Sequence, residues 1–246
     1  MKAMILAAGL GTRLRPITDK IPKALVKIHD LPILEIIIQR LVYYGFKEIV
    51  INLHYLPEKI ISFIEGKNFR GARIYFSHEK EKILDTGGAI KQARKYLDDG
   101  RPFLVHNVDV ISDIDLLKMY RYHQSLKALA TLAVKDKKSR RSLLFDNNWL
   151  LSGWDNMDTR ERKIIRSGNS NGLMGIGFCG IHVISTEIFD LMQEEEVFSI
   201  INTYIHLASR HRIVGYSVED NLWMDIGSHQ QLELANRIDP VKYLTE

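Results

Sequence analysis

Two glycines, Gly9 and Gly11, stand directly behind a short apolar run, and Arg13, Arg15 and Lys23 follow within the stretch LAAGLGTRLRPITDKIPK. Glycine lets the backbone approach an anion closely and take angles closed to other residues, so successive N–H groups can converge on phosphate oxygens. The arginines can fork two phosphate oxygens, and the lysine adds a point charge. The chemistry this permits is the handling of a triphosphate. A Walker-type loop is excluded, because Thr12 and Arg13 stand where Lys-Ser or Lys-Thr would have to follow the last glycine. A dinucleotide fingerprint is excluded as well, because Leu14 replaces its third glycine and Pro16 and Pro22 interrupt any helix behind it.

Two acids far apart in the chain complete the chemical inventory. Asp109, in Asn107-Val108-Asp109, falls at the end of a strand-like run, and open parallel sheets bind ligands outside the carboxyl ends of their strands. Asp225 is framed by apolar residues in Trp223-Met224-Asp225-Ile226-Gly227, where an acid is costly unless paired or metal-bound. Magnesium takes oxygen ligands, one or two carboxylates with phosphates and water, and this pair fits that pattern. From the residues alone, Asp109 serves equally as a turn or cap aspartate, and Asp225 as an aspartate preceding a helix. A second glycine turn, Leu84-Asp85-Thr86-Gly87-Gly88, opens a helix-like run and reads either as a cradle for a flat base or as a tight connection.

The elements that must position these groups alternate in the first half of the chain. Strands are predicted over 3–7, 48–53, 73–77 and 103–107, with helices over 32–44, 57–65 and 88–97 between them, the pattern of a doubly wound sheet. A helix ending at Ser125 and a strand over 128–134 follow. Antiparallel pieces come next, with a hairpin of 142–145 and 150–154 around Asp146-Asn147-Asn148. Residues 160–173 read as a flexible loop at the mouth of the site. Strands over 177–184 and 213–218 and helices over 186–193, 199–209 and 228–237 close the chain, and no second domain is expected.

With 246 residues, 46% of them hydrophobic and 26% charged, the chain can bury a substantial core in one domain spanning 1–246. The net charge of +4 is mild, and its basic fragment at 135–141 is short, so neither a nucleic-acid partner nor a membrane partner is expected. Cys179 is the single cysteine and no charged-then-apolar leader is present, which reads as cytoplasmic. The histidines lack the helical spacing of a zinc protease, and Cys179 lacks an activating neighbourhood. The sequence leaves monomer and homo-oligomer both open.

The first glycine stretch resembles the signature of the sugar-1-phosphate nucleotidyltransferases, G-x-G-T-R-x-R-P followed downstream by P-K, and matches it at each of those positions. The nearest likeness is to the short subgroup that includes uridylyltransferases of N-acetylmuramate 1-phosphate and guanylyltransferases of mannose or heptose 1-phosphate. The resemblance implies an α/β fold of the nucleotide-diphospho-sugar transferase type, a single-domain, Rossmann-like three-layer α/β/α arrangement around a mixed, mostly parallel sheet. It implies transfer of a nucleoside monophosphate from a triphosphate, UTP preferred and GTP next, to a sugar 1-phosphate with release of pyrophosphate. Mg²⁺ would lie on Asp109 and Asp225. Arg13 would hold the departing pyrophosphate, and Lys23 would stabilise the α-phosphoryl oxygens and meet the sugar phosphate. Gly11 and Thr12 would line the triphosphate, while Ala7, Ala8 and Gly9, with Asp85, Gly87 and Gly88, would recognise the base.

The chain departs from larger relatives in one place. They carry Glu-Lys-Pro after the hairpin, with the lysine on the sugar phosphate, whereas here Trp154-Asp155-Asn156 occupies that position. Trp154 could stack on a sugar face and Asn156 bond a hydroxyl, with Lys163, Arg166 or Arg141 supplying the missing cation; packing of Trp154 in the hairpin is the alternative. Two other classes compete. A nucleotide-sensing protein without turnover would not need Arg13, Lys23, Asp109 and Asp225 together, and a glycosyltransferase binds a diphosphate and needs no such basic loop.

Overall fold

A computed structural model describes residues 1–137, 140–166, 172–240 and 243. The strands are β1 (Lys2–Leu6), β2 (Lys27–Ile28), β3 (Leu31–Pro32), β4 (Glu48–Leu53), β5 (Arg73–His78), β6 (Phe103–Asn107), β7 (Val110–Ser112), β8 (Ala130–Lys135), β9 (Arg141–Phe145), β10 (Leu151–Asn156), β11 (Glu161–Ile164), β12 (Met174–Ile184), β13 (Ile213–Ser217) and β14 (Trp223–Asp225). The helices are α1 (Ile33–Tyr43), α2 (Pro57–Glu65), α3 (Asp85–Gln92), α4 (Arg94–Leu97), α5 (Leu116–Leu126), α6 (Ile188–Leu191), α7 (Ile200–Leu207) and α8 (His229–Ala235). Among the described residues no helix is long and apolar enough to cross a membrane.

The body of the sheet runs β5-β4-β1-β6-β12-β8-β13, and within it β12 alone is antiparallel to its neighbours. The parallel register sets Leu6 beside both Asn52 and Asn107, so the carboxyl ends of β1, β4 and β6 form one edge. The loop after β1, the residues after β5 and Asp109 after β6 all leave from that edge. Alternation along β1 shows why the sheet is covered on both faces: Ala3 and Ile5 enter one core with α1, α2 and α5, while Met4 enters the other with α3, α4, α6 and α7.

The sequence expectation of a three-layer α/β/α fold on a mixed sheet matches this architecture. Local differences have local causes. The run predicted as one helix over 88–97 begins at Asp85 and breaks at Ala93 into α3 and α4. The predicted hairpin forms because the Asp146 carboxylate accepts from Asn148 N (2.9 Å) and Leu150 N (2.8 Å), an Asx turn that leaves Trp149 at φ 59°. Part of the expected flexible loop is instead β11, paired antiparallel with β10, while residues 167–171 of that loop lie outside the described residues. The pair β7–β14, three residues long, carries too little pattern to be read from sequence.

β12 bends sharply within the sheet. Its register against β8 shifts between Phe178 and His182, and Gly180 there has φ +75°. A Cβ at Gly180 would lie 2.8 Å from Asn107 Nδ2, so both backbone angle and space demand glycine. Gly180→Ala is therefore expected to cost about 2 kcal/mol or more, read as a lower urea midpoint; an unchanged midpoint would show that the bend tolerates a side chain.

Candidate active site

The loop after β1 folds as successive 3₁₀ turns at Thr12–Leu14, Ile17–Asp19 and Lys23–Leu25, since Pro16 and Pro22 forbid a continuous helix. Gly11 (φ +65°) is where the turns fold back: a Cβ would lie 2.9 Å from Thr18 Cγ2 and 3.1 Å from Lys23 Cβ. Thr18 Oγ1 donates to Gly11 O at 2.8 Å, and Tyr55 Oη donates to Thr18 O at 3.0 Å, which straps the loop to the sheet edge. Lys23 is thereby buried beneath its own loop, with Nζ 2.5 Å from Asp109 Oδ2.

Asp225 reaches the same place through the β7–β14 pair. The register sets Asp225 across from Val110, and Ile226 N donates to Asp109 O at 2.7 Å, so the acids are neighbours held by backbone bonds. Burial pushes the Asp225 carboxyl above its ordinary value, and the negative charge of Asp109 pushes it further, against the pull of Lys23, Arg13 and Lys137. Among the described residues, Asp225 Oδ1 is buried without a hydrogen-bond partner. Gly227 keeps this oxygen open: a Cβ there would lie 2.7 Å from Asp225 Oδ1 and 2.6 Å from an Arg13 guanidinium nitrogen. An orphaned carboxylate oxygen, a second carboxylate beside it and a bare Cα between them and a guanidinium suit a hard divalent cation. No group of three or more His, Cys, Asp or Glu positioned for a metal occurs among the described residues, so the rest of the shell would come from phosphate and water.

The cleft on this edge measures about 360 Å³ and includes Gly9, Gly11, Arg13, Lys23, Asn52 and Glu79 in its lining. Ala8, Thr12, Asp85 and Asp109 also line it. Other residues singled out from the sequence lie elsewhere. Ala7 is behind the wall, its N–H donating to Asn52 Oδ1 at 2.6 Å. Gly87 and Gly88 both donate to Phe198 O, at 2.8 and 3.3 Å, and a Cβ on either would strike the 196–198 segment. They are glycines because α3 packs closely on the approach to α7. Trp154 packs against the second core, and Asn156 is buried with its Oδ1 accepting from Asp158 N at 3.0 Å.

Three contributors were not singled out from the sequence. Asn52, closing a strand of Ile and Val, donates through Nδ2 to Glu79 Oε1 at 2.5 Å, and Glu79 Oε2 accepts from Leu84 N at 2.7 Å. This sets a buried carboxylate, 3% exposed, in the cleft wall. The signal in the sequence was a polar residue at or just past the carboxyl end of an apolar strand, where a parallel sheet opens to ligand. The third, Lys137, sits beyond β8, and its charge acts on both acids.

An acid raised by burial binds its proton more tightly folded than unfolded, so its destabilising ionised form is absent below the ordinary value of 3.8 and fully felt above the raised one. Asp225→Asn is accordingly expected to melt at a higher temperature than the wild type at pH 7 in EDTA, with the gap closing as pH falls toward 4. Magnesium should raise the melting temperature of the wild type and not of the variant. Equal melting temperatures at pH 7 would show that the buried carboxylate is already compensated.

Residues 2–143 match the model of the nucleotidyl transferase family. The N-acetylmuramate α-1-phosphate uridylyltransferase of Neisseria meningitidis serogroup B is 32% identical over 240 residues, covering 97% of this chain and 98% of that protein. The D-glycero-α-D-manno-heptose 1-phosphate guanylyltransferase of Campylobacter jejuni is 32% identical over 231 residues, covering 92% of this chain and 95% of its own. The crystal structure of HddC from Yersinia pseudotuberculosis superposes with a TM-score of 0.75 at 25% identity, covering 96% of this chain and 98% of that one. The chain belongs to the nucleotidyl transferase family.

Proposed function

We propose that this protein transfers a nucleoside monophosphate from UTP or GTP to a sugar 1-phosphate, giving a nucleoside diphosphate sugar and pyrophosphate. The observation that carries the reading is the meeting of Asp109 and Asp225 beside Lys23 and Arg13, at the edge where the glycine loop leaves the sheet. Relatives of equal identity carry uridylyl- and guanylyltransferase names, which supports those two bases.

A phosphate monoester is already ionised at neutral pH, so attack of its oxygen on the α-phosphorus requires no general base. The bond from α-phosphorus to its bridging oxygen breaks, and pyrophosphate leaves with the electron pair. Catalysis then consists of holding two polyanions in line and neutralising their charge. Backbone N–H groups around Gly9 and Gly11 cradle the triphosphate, and Arg13 retains the departing pyrophosphate. Lys23, held at Asp109 before substrate arrives, exchanges that carboxylate for α-phosphoryl oxygens. Asp109 and Asp225 would hold a magnesium ion, which would supply Lewis-acid neutralisation of phosphate charge. Asn52 and Glu79 shape the wall of the same cleft.

The test is a matrix of UTP, GTP, ATP and dTTP against N-acetylmuramate, mannose, glucose and heptose 1-phosphates with magnesium, scored by pyrophosphate. Release with UTP or GTP and one of these sugars is expected. Nucleotide binding without release from any pair would point instead to a sensor on this fold. Lys23→Ala should lower turnover about 100-fold, as for loss of one transition-state donor; a change below about threefold would remove Lys23 from the mechanism.

A further inference from the structure

The reading above requires a cation for the phosphate of the sugar 1-phosphate. The candidates expected from sequence are placed elsewhere. Lys163 lies on the exposed strand β11 across from Trp154, and Arg141 opens β9 across from Asn156. Arg166 donates to Ala208 O at 2.7 Å and His211 O at 2.9 Å.

We propose that Lys137 is the residue that binds the phosphate of the sugar 1-phosphate, its ammonium held across the Trp223 ring and tied to the bend of β12. Nζ lies 3.8 Å from the centroid of that ring and donates to Phe178 O at 2.7 Å. Phe178 stands where the register of β12 shifts, so the bend frees a carbonyl that fixes the lysine. Trp223 is fixed in turn by donation of its Nε1 to Cys179 O at 2.8 Å, two residues before Asp225. The path of the stem follows the strand: a Cβ at Gly177 would lie 2.5 Å from Lys137 Cε and 2.6 Å from Cγ, so glycine there leaves the stem room to cross β12.

The charge delivered this way reaches the acids from the β8–β9 connection, whereas Arg13 and Lys23 reach them from the N-terminal loop. Asp109 and Asp225 both interact electrostatically with Lys137, and burial lowers the pKa of its ammonium, the mark of a partly dehydrated cation. An ammonium has three donors, and among the described residues one goes to Phe178 O, which leaves donors for phosphate oxygens. Trp223, across whose ring the ammonium rests, lies two residues before Asp225 on β14, so Lys137 is tied to the strand that carries one of the two acids.

This inference rests on the proposed transfer reaction, and the experiment separates the two. Lys137→Met keeps the stem and removes the charge, and Lys137→Arg keeps the charge. Each is assayed for the KM of N-acetylmuramate, mannose and glucose 1-phosphates and of UTP and GTP, and each is titrated calorimetrically with the same sugar phosphates. For Lys137→Met, the KM and Kd for sugar phosphate should rise about tenfold or more, as for loss of a charge-assisted hydrogen bond. The triphosphate KM should stay within twofold, and Lys137→Arg should recover most of the loss. The proposal is overturned if sugar-phosphate KM and Kd change less than twofold, or if both substrates weaken together with a lowered melting temperature. A wild type that binds sugar phosphate through Lys137 but releases no pyrophosphate would sink the transfer reaction alone; a wild type that binds none would sink both.

Discussion

The site depends on two carboxylates being held together against their mutual repulsion. Left to side-chain forces, Asp109 and Asp225 would separate, since like charges at short range in a half-buried setting disfavour each other by an amount comparable to a hydrogen bond or more. What prevents it is backbone: the short pair β7–β14 and the bond from Ile226 N to Asp109 O. Those bonds are anchored in turn by apolar neighbours, because Val110, Ile111 and Ile226 are buried in the first core. Hydrophobic burial, which has no direction, is thus converted into a directed placement of charge. The consequence is an oxygen on Asp225 without a partner among the described residues, tolerable to a protein only where something else completes it.

The cations around the acids are placed by an equally economical device, the omission of side chains. Gly227 leaves room for Arg13 and Gly177 for Lys137, where a Cβ would overlap the basic side chain, and Gly11 leaves room for Thr18 beside Lys23. Removing a methyl group from the wall brings a charged group close to backbone without opening a cavity to water. That geometry strengthens electrostatics twice over, since the charges are nearer and less screened. It also explains why the glycines around the acids cannot be assigned by backbone angle alone: Gly227 and Gly177 are not at positive φ, and their role is space.

The fold was largely legible because buried parallel strands and their intervening helices carry strong periodic signals. Runs such as Glu48–Leu53 and Phe103–Asn107 were read to the residue. The glycine loop was legible as chemistry because its residue types have few other uses together. The rest was not, for physical reasons that differ by residue. Gly87 and Gly88 look like a base cradle in sequence, yet their demand for space comes from Phe198 and Glu196, more than a hundred positions away. Asn52 and Glu79 gave no motif, since a lone polar residue at a strand end acquires meaning only when the neighbouring parallel strand supplies its partner. Lys137 stands in the sequence as one charge of the short basic fragment at 135–141, and nothing local distinguishes it. Its partners are a ring on β14 and a carbonyl on β12.

The antiparallel course of β12 gives this sheet a capability that a wholly parallel one lacks. In a parallel sheet only strand ends and the loops behind them meet the ligand edge. Because β12 runs against β6 and β8, its beginning emerges at the edge where those strands finish, with Gly177 across from Lys135. The edge therefore receives backbone from a strand interior as well as loops, and a bend placed there exposes carbonyls at fixed positions. Phe178 O and Cys179 O are two such groups, and they orient a lysine and a tryptophan. One wall of the site is thereby built from rigid sheet while the other is built from a folded loop. Under the proposed reaction this division has a physical rationale: the loop, whose cation can exchange partners, meets the phosphoryl group that changes its bonds, and the rigid wall meets the phosphate that must only be aimed.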